Sequence, residues 1–260
     1  MTWDREPMDR PAGAGWGRPA AVIAAAGCLA FFSSFALSSC VLRQPSGQVP
    51  ASGPRAPASR PGPAGGSPRP GPAATAMPGL AGVRWVSFHG AELPVSPSAG
   101  PRVTRDGVAW GFADTRLGAL LAAVNIGVRA AAWWGPGVFG PTIRDQVIGA
   151  DAGVLLSGCE AAYEQAWPSA GVPAGAPLGP APVTEEAFAW VSYRPWAAVV
   201  DIVSAARVPS GGMARAVTWV ALRWRDGDWR VVAPPGGDWN NAAAPLPSLR
   251  GYTLFPDPPR

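Results

Sequence analysis

The sequence predicts an α+β domain held at a membrane by a single N-terminal transmembrane helix and a disordered Pro/Gly linker. Three observations carry this expectation. Residues 20–42 hold no charged side chain, and residues 44–79 hold ten Pro and seven Gly in 36 positions. Beyond them lie 11 of the 13 Trp, in a region where apolar residues recur first at helical spacing and then with period two.

The stretch at 20–42 (AAVIAAAGCLAFFSSFALSSCVL) would form a helix of about 35 Å, enough for a hydrocarbon core of about 30 Å. Two readings stand. Residues 19–42 form an uncleaved signal anchor behind a cytoplasmic tail at 1–18, or Leu37-Ser38-Ser39-Cys40 is a lipoprotein processing site that leaves Cys40 lipidated. Arginines lie at comparable reach on both sides of the stretch, so their distribution does not orient it. Both readings put the remainder outside the cytoplasmic membrane, with the N-terminus inside in the first. The tract at 43–79 has almost no bulky apolar side chain to offset its ordering entropy. It is expected to be a disordered, partly polyproline-II spacer, reaching on the order of 100 Å when extended.

The folded part is expected at 80–233. Residues 80–94 alternate as a short strand ending near Gly90, and a loop with an Asp106-Gly107 turn follows. Asp114 or Thr115 caps a helix whose stripe is Leu117, Leu120, Leu121, Val124 and Val128. A second helix is expected over 141–148, opened by Pro141. A third is expected over 151–167, with Val154, Leu155, Cys159, Ala162 and Tyr163 on one face. After a Pro/Gly loop, period-two strands are expected at 187–193, 197–208 and 213–224. A type I′ turn at Asp226-Gly227 then returns the chain along 229–232, setting Trp224 opposite Trp229. Residues 234–260 read as an irregular tail. A strand, three helices and an antiparallel meander make the class α+β.

Composition narrows the chemistry. The chain has 260 residues, 48% hydrophobic, with 21 Arg, no Lys, one His and three Cys. Lacking Lys, it cannot use a phosphate-loop lysine or a Schiff base, and one His with three scattered Cys gives little material for a His-based triad or zinc cluster. The net charge of +4 is dispersed, with Arg5, Arg10, Arg18, Arg43, Arg55, Arg60 and Arg69 in the first 70 residues. No basic patch points to nucleic acid. His89 follows Phe88 at a strand end and reads as structural or surface. Cys159 has no partner in the domain and reads as a small buried hydrophobe. Glu160 and Glu164, one turn apart, read as a solvated helix face, and Asp201 as either a cleft acid or an outward strand residue. The surplus Trp either fill volume or mark an interface, and Trp133, Trp134 and Trp196, beside Gly or Pro at element ends, are the candidates to face a partner.

Three segments together resemble an uncharacterised domain family of membrane-anchored actinobacterial proteins. They are GAELPVSPSAGP from Gly90, GVAWGFADTRLGALLAAVNIGVR from Gly107 and PTIRDQVIG from Pro141, within roughly residues 83–167. Here Asp114 stands where that pattern commonly has His, and Arg116 where it has Pro. More loosely, anchor, linker, three helices and a sheet ending in LRWRDGDWRVV are similar to the nuclear-transport-factor-like cone of TcpC-type conjugation proteins and type IV secretion scaffold subunits. That resemblance implies three helices packed on a curved antiparallel sheet, with no cofactor and no catalysis. It also implies self-association and contacts with other secretion or conjugation subunits. The expected function is therefore a non-enzymatic, membrane-anchored extracytoplasmic scaffold. The alternative is a cell-envelope lipoprotein, lipidated at Cys40, that binds a ligand or wall polymer.

Overall fold

The computed structural model describes residues 79–181, 183–208 and 211–256. The tail at 1–18, the anchor expected at 19–42 with Cys40, and the linker as far as residue 78 lie outside the described residues.

The chain begins with two small hairpins. Strands β1 (Arg84–Phe88) and β2 (Ala91–Val95) turn at His89-Gly90, where φ is 49° and 84°. Strands β3 (Val103–Arg105) and β4 (Val108–Trp110) turn at Asp106-Gly107, where φ is 51° and 77°. Two consecutive positive φ values are the signature of a type I′ turn, whose twist matches that of the flanking strands. The sequence pattern reads these segments as one strand and one loop, because His is not a customary I′ residue and three-residue strands are too short to show alternation.

Helix α1 (Arg116–Arg129) starts at Thr115, whose hydroxyl accepts from the Gly118 N–H at 3.0 Å. It is buried on every side from Gly118 to Arg129, where the sequence showed only one stripe. The helix is wedged between the sheet and the β1–β2 hairpin. Helix α2 (Pro136–Gln146) begins five residues earlier than expected, with Pro136 in its first turn and Pro141 tolerated inside. Val147 and Ile148, expected in that helix, form strand β5 (Val147–Ile148). Helix α3 (Ala152–Ala170) buries only Leu155, Cys159 and Tyr163, one per turn, and ends at Gly171 in the left-handed region. Val154, expected on that face, is exposed.

The main sheet contains β6 (Thr184–Arg194), β7 (Ala197–Arg207), β8 (Met213–Arg225) and β9 (Asp228–Val232) as an antiparallel meander. Trp224 and Trp229 pair across β8 and β9 as expected, with ring centroids 5.5 Å apart and an edge-on geometry. The segment expected as an irregular tail adds two strands. Strand β10 (Ala243–Pro245) lies along the N-terminal half of β8, and β11 (Thr253–Leu254) pairs β6 at Phe188 and Ala187. One face of β7 sends Ala198, Val200 and Ile202 into the core under α1. The other sends Val203 into a small cluster with Ala187 and Val217, covered by Leu246, Leu249 and Tyr252.

This architecture corrects the expected fold. Among the described residues, no helix is long and apolar enough to cross a membrane. The three helices are present, but they do not rest on one curved antiparallel sheet. β5 joins β9 in parallel, the two N-terminal hairpins stand apart as separate sheets, and the segment between the C-terminal strands, with Leu246, Leu249 and Tyr252, packs on the face opposite the helices. The domain is sheet-rich and matches a nuclear-transport-factor-like cone only in part.

Gly118 shows how tightly α1 is seated. A Cβ there would meet the Ala113 carbonyl oxygen at 2.0 Å, whereas at Gly153 in α3 it would meet nothing. Gly118→Ala is expected to cost about 3 kcal/mol or more and to lower the melting temperature by roughly 10 °C. Gly153→Ala is expected to stabilise by about 0.5–1 kcal/mol. Circular-dichroism melting of the two variants separates these outcomes, and equal effects would contradict the seating of α1.

Candidate functional site

The segment GFADT, at residues 111–115, is held from the far end of the chain. The Asp228 carboxylate accepts from the Gly111 N–H at 2.9 Å, the Phe112 N–H at 3.0 Å and its own neighbour's Trp229 N–H at 2.9 Å. The Trp229 indole N–H donates to the Ala113 carbonyl at 3.0 Å. Phe112 is fully buried, and Gly111 sits at φ 78° with the Arg102 side chain 3.0 Å from where a Cβ would be. The carboxylate thus satisfies two N–H groups of a chain reversal that has no ladder partner to do so. Most of what makes this motif recognisable is packing and backbone satisfaction.

The next turn of chain opens a cleft. Between the start of α1, β6 and β11 lies a space of about 420 Å³, lined by Leu117, Leu120, Phe188 and Trp190, with Thr115, Arg116 and Thr253 at its polar rim. Gly79 and Leu80, the first described residues, complete its wall. The Arg116 guanidinium stacks over Trp190, 4.8 Å from the ring centroid. Trp190 continues an aromatic row in which Phe188 meets it edge-on at 6.4 Å and Tyr193 edge-on at 5.7 Å. The Tyr193 hydroxyl is held above its ordinary pKa by partial burial and by the Asp114 carboxylate, with Arg116 opposing. The lining is apolar and aromatic with one cation. It can receive a flat or ring-shaped group but contains no acid–base or nucleophile pair. Among the described residues, no group of three or more His, Cys, Asp or Glu side chains could hold a metal ion.

A model of the family DUF8175, a domain of unknown function, matches residues 44–254. The chain belongs to that family. No curated protein and no solved structure matches it. The DUF8175 match spans the linker as well as the folded domain and stops at the last residue of β11.

Within this DUF8175 domain the residues singled out from sequence part company. Trp134 is fully buried and donates to the Val128 carbonyl at 2.7 Å, so it cannot face a partner. Trp133 is half-buried, its indole N–H bonded to the Gly179 carbonyl at 3.0 Å. Trp196 alone stands out from the surface, 64% exposed at the β6–β7 turn. His89 lies in its hairpin turn, stacked on Trp134 with centroids 6.0 Å apart. Cys159 is buried on α3, its thiol donating to the Ala130 carbonyl just past the end of α1 at 3.4 Å and pushed up to about 12 by that burial. Glu160 reaches Arg144 at 3.7 Å on the surface. Asp201 is buried on the sheet face beneath residues 241–244. Asp114 is exposed on the loop that Asp228 holds. Sequence patterning missed the cleft because Leu117, Leu120, Phe188 and Trp190 look like ordinary core positions on two separate elements.

Two further ionisable groups are buried away from the cleft. Arg129 is 2% exposed, and among the described residues no carboxylate pairs with it. Its guanidinium donates to Asn125 Oδ1 at 2.7 Å and lies 4.3 Å from the centre of the Phe88 ring, and burial lowers its pKa to about 10. Asn125 in turn donates to the Pro94 carbonyl at 2.9 Å, which ties α1 to β2. Glu185 on β6 accepts from the Ser204 hydroxyl at 2.8 Å, and burial raises its pKa from 4.5 to about 7 despite that bond.

Asp228→Ala is expected to lose about 3 kcal/mol in denaturant titrations, because two buried N–H groups are left bare. For Glu185, the unfolded chain releases the proton at lower pH than the folded one. Its contribution is therefore complete below pH 4.5 and is lost as pH rises through about 7, by on the order of 3 kcal/mol. Urea titrations from pH 4 to 8 should show this decline in the wild type and a flatter profile for Glu185→Gln. Identical profiles would remove Glu185 from the pH dependence.

Proposed function

We propose that this chain is a non-enzymatic assembly subunit of an actinobacterial conjugation or type IV secretion-like apparatus. In this reading the domain stands outside the cytoplasmic membrane, to which the uncharged stretch at 20–42 attaches it. The observation that carries the reading is Trp196. It stands on the β6–β7 turn beside a length of β6 that β11 does not reach, since β11 pairs only Ala187 and Phe188. Residues 189–194 have no strand partner on that side among the described residues, and Val191 and Leu254 are exposed near this margin. Exposed indoles beside open strand edges are the groups that protein interfaces most often anchor on.

In this reading Trp196→Ala leaves the melting temperature unchanged and removes self-association together with recovery of secretion-type ATPase and channel subunits from native membranes. Trp134→Ala is expected to destabilise the fold by about 3–5 kcal/mol, since it empties a fully buried site. Sedimentation and cross-linked recovery of the Trp196→Ala protein are the deciding measurements, and wild-type behaviour in both would overturn the reading. Metabolic palmitate labelling at Cys40 would instead favour the alternative of a ligand- or wall-binding lipoprotein.

A further inference from the structure

The geometry points to the cleft between α1 and β6 as a docking site for this chain's own linker, through the segment Arg69-Pro70-Gly71-Pro72. The first argument is position. The chain outside the described residues ends at residue 78, and Gly79 and Leu80 are themselves part of the cleft wall. Six residues lie between Pro72 and Gly79, seven steps of chain that reach up to about 25 Å when extended.

The second argument is chemistry. Proline rings pre-set in polyproline II lose little entropy on docking, and aromatic-lined grooves are the surfaces that receive them. Here Phe188 and Trp190, backed by Leu117 and Leu120, supply such a surface in a space of about 420 Å³. Arg-Pro-Gly-Pro occurs twice in the linker, at 60–63 and 69–72, and the second copy is the one closer along the chain to Gly79. One acid flanks the cleft, whose own lining carries a single cation, Arg116. Residues 44–78 contain three Arg and no acid, and the exposed Asp114 carboxylate stands beside the rim, where it can meet Arg69. Arg116 would repel it but is drawn onto the Trp190 ring. Docking would hold the domain on a shortened tether, and release would lengthen it.

The test uses the full-length chain in detergent micelles and a variant with Arg69, Pro70 and Pro72 all changed to Ser, which lies outside the folded domain. Backbone amide resonances of residues 115–120 and 188–190 report on the cleft. They should shift between wild type and variant while those of α3 stay fixed. A synthetic peptide of residues 66–74 should restore the wild-type shifts in the variant. It should bind wild type at least tenfold more weakly, because the tethered copy competes at millimolar effective concentration. Unchanged cleft resonances would overturn the proposal. So would equal peptide affinity for both proteins, which would mean that the cleft takes proline segments only from another molecule. A Trp190→Phe variant with intact thermal stability should reproduce the loss seen with the linker variant, and failure to do so would also count against it.

Discussion

Everything on the helical side of the sheet depends on one carboxylate. Asp228 sits at the start of β9, directly after the last tight turn, and its two oxygens accept from the backbone of residues 111 and 112, more than a hundred positions earlier. Those two bonds fix the direction in which the chain enters α1. Trp229 adds a third tie to the carbonyl of Ala113, and Gly118 then lets the helix lie against that same carbonyl. A buried acceptor with several N–H donors is worth more than its parts, because any donor left bare would keep its full desolvation cost. The entry angle of α1 sets where Leu117 and Leu120 stand relative to Trp190, and so the cleft exists only because β9 holds the loop in front of it.

The interior of α1 shows the opposite economy. Arg129 is buried with no acid paired to it among the described residues, facing an aromatic ring and the amide of Asn125. Burying such a cation costs stability unless its hydrogen bonds and ring contact offset the lost hydration. Asn125 makes that arrangement cohere, since its side chain bonds both Arg129 and the backbone of β2. The polar pair therefore fixes the register of the β1–β2 hairpin on α1, where purely apolar packing among many Ala residues would allow sliding.

Strong local signals were legible in the sequence, and long-range placement was not. The Asp226-Gly227 turn and the Trp224–Trp229 pair follow from residues a few positions apart, and both are present. Thr115 as a cap and the apolar spacing behind it likewise announce α1. The strands β10 and β11 carry only three and two residues, too few for a periodic pattern, and their partners lie far away in the chain. Helix α2 was displaced because two prolines, at 136 and 141, both suit a first turn, and only the tertiary contacts choose between them. Trp134 and Trp196 are indistinguishable as letters beside Gly or Pro, yet one is sealed and the other stands in solvent. Asp228 was visible only as a turn residue, since nothing local reveals a carboxylate that reaches back to residue 111.

The indole of Trp85 donates to the carbonyl of Pro256 at 2.8 Å, and its ring meets Phe255 edge-on at 5.8 Å. The first strand of the domain is thus completed by a residue 171 positions later in the chain. Synthesis proceeds in one direction, so β1 and the open side of β6 remain without these neighbours until the C-terminal segment has been made and has arrived on the same side of any barrier the chain crosses. Contacts of such long sequence separation also form slowly. The domain consequently closes as a ring rather than growing as a stack, and the finished fold is itself a report that the chain as far as Phe255 and Pro256 has been delivered.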